Sequence, residues 1–371
     1  MSDKVSALKP VEDVSKPLQT KGLPDIDYAY LEDLLSRLLN TASPTGHAEE
    51  AIIMLEDAFA HFPEVKLERT KKGALLATLP GKKSGPGPLK GLTAHVDTLG
   101  AMVKLIKPNG RLELSPIGGF AWASVEGEGC RVHTRKNGTI RGSLMPVKAS
   151  VHVHNDAPRE EKRTSSNMEV RLDERVTTVE ETRSLGIEVG DFVSFDPRVE
   201  LNHGFVRSRH LDDKAAVAIL MSAVEALNHA GLKPAAETSL LLTNYEEVGL
   251  GGSSDVPASV EEFVAVDMAA IGEGQNSDEF HPSLCVKDGG GPYHHGLSNK
   301  LRDLAERYDI PYKTDIYVYY SSDAGSYARA GGSAAIALIG PGVDASHHYE
   351  RTHHDALVAT TQWVLAYLLN D

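Results

Sequence analysis

Apolar positions recur at helical spacing over Tyr28 to Leu39 and Glu49 to Phe59, which predicts two amphipathic helices. Strand and helix signals then alternate as far as Leu89 to Ala94, an apolar run short enough to be a buried strand. From about Val103 to Arg207 the pattern changes. Short runs at Arg111 to Leu114, Thr139 to Leu144, Val151 to His154 and Asp191 to Phe195 are separated by Gly, Pro and Asn turns, the pattern of a small β domain, with Arg159 to Arg163 as an exposed loop. The alternating pattern returns with an apolar helix, Ala215 to Leu227, the runs Ser239 to Thr243 and Phe263 to Val266, and a closing helix from Ala356 to Leu369. Alternation predicts a parallel-rich α/β sheet. The expected organisation is an α/β domain over 27–102 and 208–371, interrupted by a β insert over 103–207 and preceded by a polar, disordered tail over 1–26.

The chemistry-bearing residues stand where apolar runs end. His95 and Asp97 close the first run, two apart on an extended backbone, so that both side chains are expected in one site. Glu246 and Glu247 follow the second, just before the Gly-rich turn Gly249 to Gly252, and as neighbours on a strand they would face opposite sides. Asp267 closes the third. In open α/β sheets the crevice beyond the carboxyl ends of the strands is where ligands bind, so three runs place acid and imidazole groups at one edge.

Such groups suit two divalent cations. Zinc takes imidazole nitrogen and carboxylate oxygen, and a pair of ions about 3.5 to 4 Å apart can share a bridging carboxylate. Asp212, just ahead of the apolar helix, is the candidate bridge, and either Glu246 or Glu247 can act as general base. For Asp213, plain negative charge at a helix N-terminus is an equally good account. The cluster His347 to His354 offers a further ligand. Tyr317 to Tyr320 with Ser321-Ser-Asp323 reads as an aromatic, hydroxyl-rich wall, with Asp323 as a substrate-binding group or alternative ligand. Thr352 and Asp355 read as a capping box for the last helix, and Asp288 to Pro292 as a substrate loop or a plain turn.

The blocks His95-Val-Asp97-Thr-Leu-Gly100, Leu211-Asp-Asp-Lys214, Glu246-Glu-Val-Gly249, Val266-Asp267 and Ser322-Asp-Ala324, with Ser43-Pro-Thr-Gly46 and Glu49 upstream, resemble the TET-type di-metal aminopeptidases, which include the glutamyl aminopeptidases. That resemblance runs from about residue 30 to the end of the chain. It implies a phosphorylase/hydrolase-like mixed sheet flanked by helices with an inserted small β-barrel. It also implies His95 as ligand of one metal, Asp97 as the group orienting it, Asp212 as the bridge, Glu246 as general base, Glu247 and Asp267 as one ligand for each metal, and a C-terminal histidine to complete the set. His347 is the preferred histidine and His353 the alternative, which would otherwise face substrate. The chain departs from the family in the one-residue-shorter interval from His347 to Glu350, and at Thr98, where the family carries glutamate. Two divalent ions per subunit follow, zinc, cobalt or manganese, and the insert implies dimers assembling into a homo-oligomeric, dodecameric shell open to short peptides. A narrower resemblance, at Ser115 to Gly118, Ser208 to Asp213 and Gly342 to His353, is to a subgroup associated with the osmoprotectant N-acetylglutaminylglutamine amide. It keeps open a small acylated dipeptide as substrate. A non-catalytic, shell-forming scaffold is the alternative of another class, and its mark would be a missing base or ligand.

Bulk properties narrow the partners. A formal net charge of -14 argues against nucleic acid, because phosphate binding needs a basic surface. No apolar run reaches the roughly 18 residues of a membrane span, and the first 26 residues lack the apolar core of a secretory signal. Two cysteines, Cys130 and Cys285, are too few for a disulfide framework and point to a reducing cytoplasm.

Overall fold

Asp27 starts the first helix, Tyr28–Asn40, by accepting the backbone N–H of Tyr30, and Leu31, Leu34, Leu35, Leu38 and Leu39 form its buried stripe. The computed structural model describes residues 21–83, 85 and 87–371. Residues 1–20 of the expected tail lie outside that range. At residues 21–26 the expectation is corrected: Leu23 and Ile26 are buried in the main core, because apolar side chains next to the helix start gain more from burial than the chain loses in freedom. Ile26→Ala should therefore destabilise the protein by about 2 to 5 kcal/mol, read from denaturant unfolding; a change within error would mean that this segment does not pack as described.

The second helix, Glu49–Phe59, matches the sequence reading residue for residue. The sheet it flanks is mixed and has four parallel strands at its centre, in the spatial order Thr238–Thr243, Lys90–His95, Glu262–Val266 and Ala335–Val343. All residues of the first two are buried, as expected for strands covered on both faces. Antiparallel strands extend both sides, Leu75–Leu79 and Lys66–Arg69 on one and Pro282–Asp288 on the other. Helices Leu211–His229 and His354–Leu369 are buried around almost their whole circumference, so they are core helices and not amphipathic covers. Each is longer at its start than its apolar run suggested, and Asp212 and Asp213 lie inside the first of them with non-helical φ/ψ.

Strands Gly100–Ile106, Leu112–Ile117, Met168–Leu172, Gly138–Pro146, Gly129–Thr134 and Phe192–Phe195 pair in that order into a closed barrel, with Val103, Leu112, Leu114, Val132, Leu144, Val170 and Val193 in its own core. Val151–His154, read as a strand, is a short exposed helix with Val153 facing solvent. A closed barrel leaves no edge for a further strand to pair with. Part of Arg159 to Arg163 is likewise helical, over Ala157–Glu160, where an exposed loop was expected.

A three-stranded sheet, Glu200–Asn202, Phe205–Ser208 and Glu350–His353, joins the segment after the barrel to the C-terminal region. Its register sets Ser208 opposite Glu350. Among the described residues, no helix is long and apolar enough to cross a membrane.

Candidate metal centre

The parallel strands all end at one edge, with Thr243 beside His95 and Val266 beside Ile339 in register. Segments leaving that edge carry the acidic and imidazole groups. His95, the last residue of its strand, donates from Nδ1 to the carbonyl of Asp97 (2.8 Å), which turns Nε2 toward Asp212 Oδ1 at 3.1 Å. His347 is held in the same way. Its Nδ1 donates to the carbonyl of Gly119 from the barrel, and its Nε2 faces Asp212 Oδ2 at 3.3 Å and Glu247 Oε2 at 3.6 Å. A ring fixed by a carbonyl at Nδ1 presents its Nε2 lone pair to a cation.

Asp212 therefore shares its two oxygens between two sets of groups. One set is His95, Asp212 and Asp267, whose potential ligand atoms all lie within 4.8 Å of one another. The other is Asp212, His347 and Glu247. Glu246 stands beside the first set, 3.8 Å from His95 Nε2, and its carboxylate accepts no hydrogen bond among the described residues.

Burial and crowded like charges set the electrostatics of this cluster. Burial pushes Glu247 up to about 8, with the charge of Asp212 adding to it, and the same two causes push Asp267 to about 7. Burial also raises Glu246 well above the carboxylate range, against the opposing His95. Burial alone would lower His347, yet its contact with Asp212 and the charge of Glu247 raise it to about 10. Asp212 is held well below the usual range because two imidazoles outweigh its desolvation. Buried carboxyls crowded together favour their protonated forms, and divalent cations at this position would favour the ionised ones. The donor set, imidazole nitrogens and carboxylate oxygens, fits zinc, cobalt or manganese.

Further carboxylates hold the backbone beneath these groups. Asp97 is fully buried next to His95, its Oδ1 3.7 Å from His95 Nδ1, and lies just beyond the strand, which stops at His95. It accepts the Thr45 hydroxyl (2.7 Å) and the backbone N–H groups of Glu246 (3.2 Å) and Glu247 (3.3 Å). The two glutamates are not on a strand but on a tight helical turn, Glu246–Val248, after Tyr245 turns left-handed. Asp213 is also fully buried and accepts the N–H of His95 (3.2 Å), so simple helix N-terminal charge does not account for it. Tyr245, His210 and His347 all have positive φ, and all three border this cluster, where strained backbone is kept only if its surroundings impose it.

Asp323 lies beneath the cleft instead of facing substrate. It accepts the hydroxyls of Thr243 and Thr93 and the N–H of Gly252 (2.6 Å). Gly251 and Gly252 must be glycine for this contact, since a Cβ on either would stand 2.2 or 2.3 Å from an Asp323 oxygen. His353 lies outside the cluster. It caps the final helix, its Nδ1 accepting the N–H of Asp355 (3.2 Å), and it packs against Phe205 and Phe280. The expected Thr352–Asp355 capping box does not form, because the Thr352 hydroxyl donates to the carbonyl of Gly342 (2.7 Å). Asp288 to Pro292 is a plain turn, held by Asp288 accepting from Gly290 N–H and from the Tyr293 hydroxyl. Glu350, read from the sequence only as a spacing mark, is buried and accepts the N–H of Asp212 (3.1 Å) and of His347 (2.9 Å).

A cleft of about 340 Å³ opens over the cluster, walled by Met268, Tyr319, Tyr320, Ser321, Arg329 and Ser346. Part of the expected aromatic wall is present here, whereas Tyr317 is buried and hydrogen-bonds Ser277.

A family model described as M42 glutamyl aminopeptidase matches residues 73–362. A putative aminopeptidase, YhfE, of Bacillus subtilis is 47% identical over 337 residues, covering 91% of this chain and 96% of the relative. Lysyl aminopeptidase of Pyrococcus furiosus is 25% identical over 262 residues, covering 68% and 70%. Among solved structures, an aminopeptidase from Desulfurococcus kamchatkensis superposes with a TM-score of 0.81 at 23% identity, over 92% of this chain and 95% of that one. The TET1 peptidase of Pyrococcus horikoshii, described as assembling into a tetrahedron or a large octahedral shell, does so with 0.81 at 18%, over 92% and 100%.

Proposed function

This chain belongs to the M42 glutamyl aminopeptidase family, and from that premise we propose that it is a di-metal aminopeptidase acting on short peptides. The observation that carries the reading is the Asp212 carboxylate, with His95 on one oxygen and His347 on the other. His95 and Asp267 would hold one cation, His347 and Glu247 its neighbour, and Asp212 both. When bound, the ions would polarise the scissile carbonyl and acidify water. Glu246 takes the proton of the attacking water as the new carbon–oxygen bond forms, and returns it to the departing amine as the C–N bond breaks. Among the described residues nothing donates a hydrogen bond to its carboxylate, which suits that transfer. Asp97 keeps Glu246 and Glu247 in place through their backbone. A catalytically silent scaffold is disfavoured because base and ligand candidates converge together.

The narrower sequence resemblance supports a second reading, hydrolysis of an N-acetylated, C-amidated dipeptide such as N-acetylglutaminylglutamine amide. Assays of aminoacyl and N-acetyl dipeptides with zinc-, cobalt- and manganese-loaded protein separate the two. Turnover confined to substrates with a free amino group is expected, and preferential turnover of acylated ones would replace the first reading by the second.

The barrel serves as the dimerisation unit of a dodecameric shell in this proposal, in keeping with the assemblies named for the TET relatives. Sedimentation should show a dodecamer, and monomers alone at working concentration would remove the shell. Two buried, unpaired cysteines fit residence in a reducing cytoplasm.

A further inference from the structure

We propose that Glu350 is a positioning residue for one half of the metal centre, clamping the backbone of Asp212 and His347 so that their side chains converge on the cation they share with Glu247. The inference rests on the di-metal reading above. It starts from an asymmetry in how the ligands are supported. His95, Glu247 and Asp267 leave the ends of, or the turns just beyond, central sheet strands, whose pairing positions them. Asp212 and His347 do not. Asp212 sits in a non-helical stretch at a helix start, and His347 lies in the loop between Val343 and Glu350 with φ +63°, a conformation an ordinary residue adopts only under constraint.

Glu350 supplies that constraint to both. One of its oxygens accepts the Asp212 N–H at 3.1 Å and the other the His347 N–H at 2.9 Å. Its own backbone is anchored twice over. It pairs with Ser208 in the three-stranded sheet, and the mutual hydrogen bonds between Asp344 and Arg351 close the loop at its base (2.8 and 3.1 Å). Each of the two carboxyl oxygens accepts one N–H, whereas a side-chain amide of the same length offers a single acceptor oxygen. Both bonds are donated by backbone N–H groups, which are costly to leave without an acceptor where they are buried.

The consequence is selective. Loss of the clamp should loosen the set built on Asp212, His347 and Glu247, and leave the His95 and Asp267 side close to its original affinity. The test is zinc binding to metal-free, full-length Glu350→Ala and Glu350→Gln protein, in competition with a chromogenic chelator, with thermal unfolding of the same metal-free samples alongside. Two binding steps are expected in the unaltered protein. In Glu350→Ala one should weaken by about 10- to 100-fold, the range for partners that orient metal ligands, while the other stays within about threefold. Glu350→Gln should fall between, since its carbonyl oxygen accepts one N–H while its amide nitrogen cannot accept the other. It also stands in should the alanine variant fail to fold. Unchanged binding in both steps, even with a lower unfolding temperature, would overturn the proposal and leave Glu350 a structural residue. Equal weakening of both steps would overturn it as well, by showing general loosening. Two zinc ions failing to bind the unaltered protein would instead overturn the di-metal reading beneath it.

Discussion

Replacing Glu246 by Gln should lower kcat by about 10²- to 10⁴-fold while the protein still binds two cations per chain, because the change removes a proton acceptor and leaves every ligand in place. The expectation follows from the different surroundings of the two adjacent glutamates. Glu247 is tied down, with one oxygen accepting the N–H of Leu99 (3.1 Å) and the other facing His347. Among the described residues the Glu246 carboxylate has only the longer approach to His95, and it stands at the cleft. Peptide hydrolysis assays with metal content measured on the same samples check this. Full turnover in the variant would remove the base assignment, whereas loss of metal would make Glu246 a ligand.

Asp212→Ala should have the larger effect on metal. It removes the group that both imidazoles face, so the affinity of both cations should fall by more than the roughly 10- to 100-fold typical of an outer partner, and activity with it. Stripping the unaltered protein with a chelator should abolish turnover, and zinc, cobalt or manganese should restore it. Uptake of metal should also release protons. With Glu247 near 8 and His347 near 10, both favour their protonated forms at pH 7 in the metal-free protein, Asp267 near 7 is partly protonated, and each must deprotonate to act as a ligand. Metal affinity should therefore fall as pH drops from 8 to 6, with a calorimetric binding heat that depends on the buffer. Retention of two tightly bound ions by Asp212→Ala would end the shared-carboxylate reading.

The fold was legible where one physical rule dominates. Runs such as Lys90–His95 and Thr238–Thr243 are apolar throughout because both sheet faces are covered, and residues at their carboxyl ends necessarily share an edge. For the same reason His95, Glu246, Glu247 and Asp267 could be proposed together from their positions along the chain. His347 and His353 were separable only in space, since both stand in one polar stretch and differ in which wall each meets. His347 reaches Gly119 of the barrel, and His353 turns into an aromatic pocket at a helix start. Val151–His154 misled because alternation marks a strand only where an edge is open to pair with it.

Periodicity and the order of residues along the chain were sufficient for the layered α/β plan, the β insert and the kinds of groups gathered at the sheet edge, since burial and strand alternation are local rules. The duties of Asp97, Asp213, Asp323 and Glu350 were not readable in that way. A buried carboxylate that grips backbone N–H groups looks the same in a string of letters as one that faces a cation. Its role depends on which donors the folded chain brings within about 3 Å, and those N–H donors come from segments as much as 150 residues away.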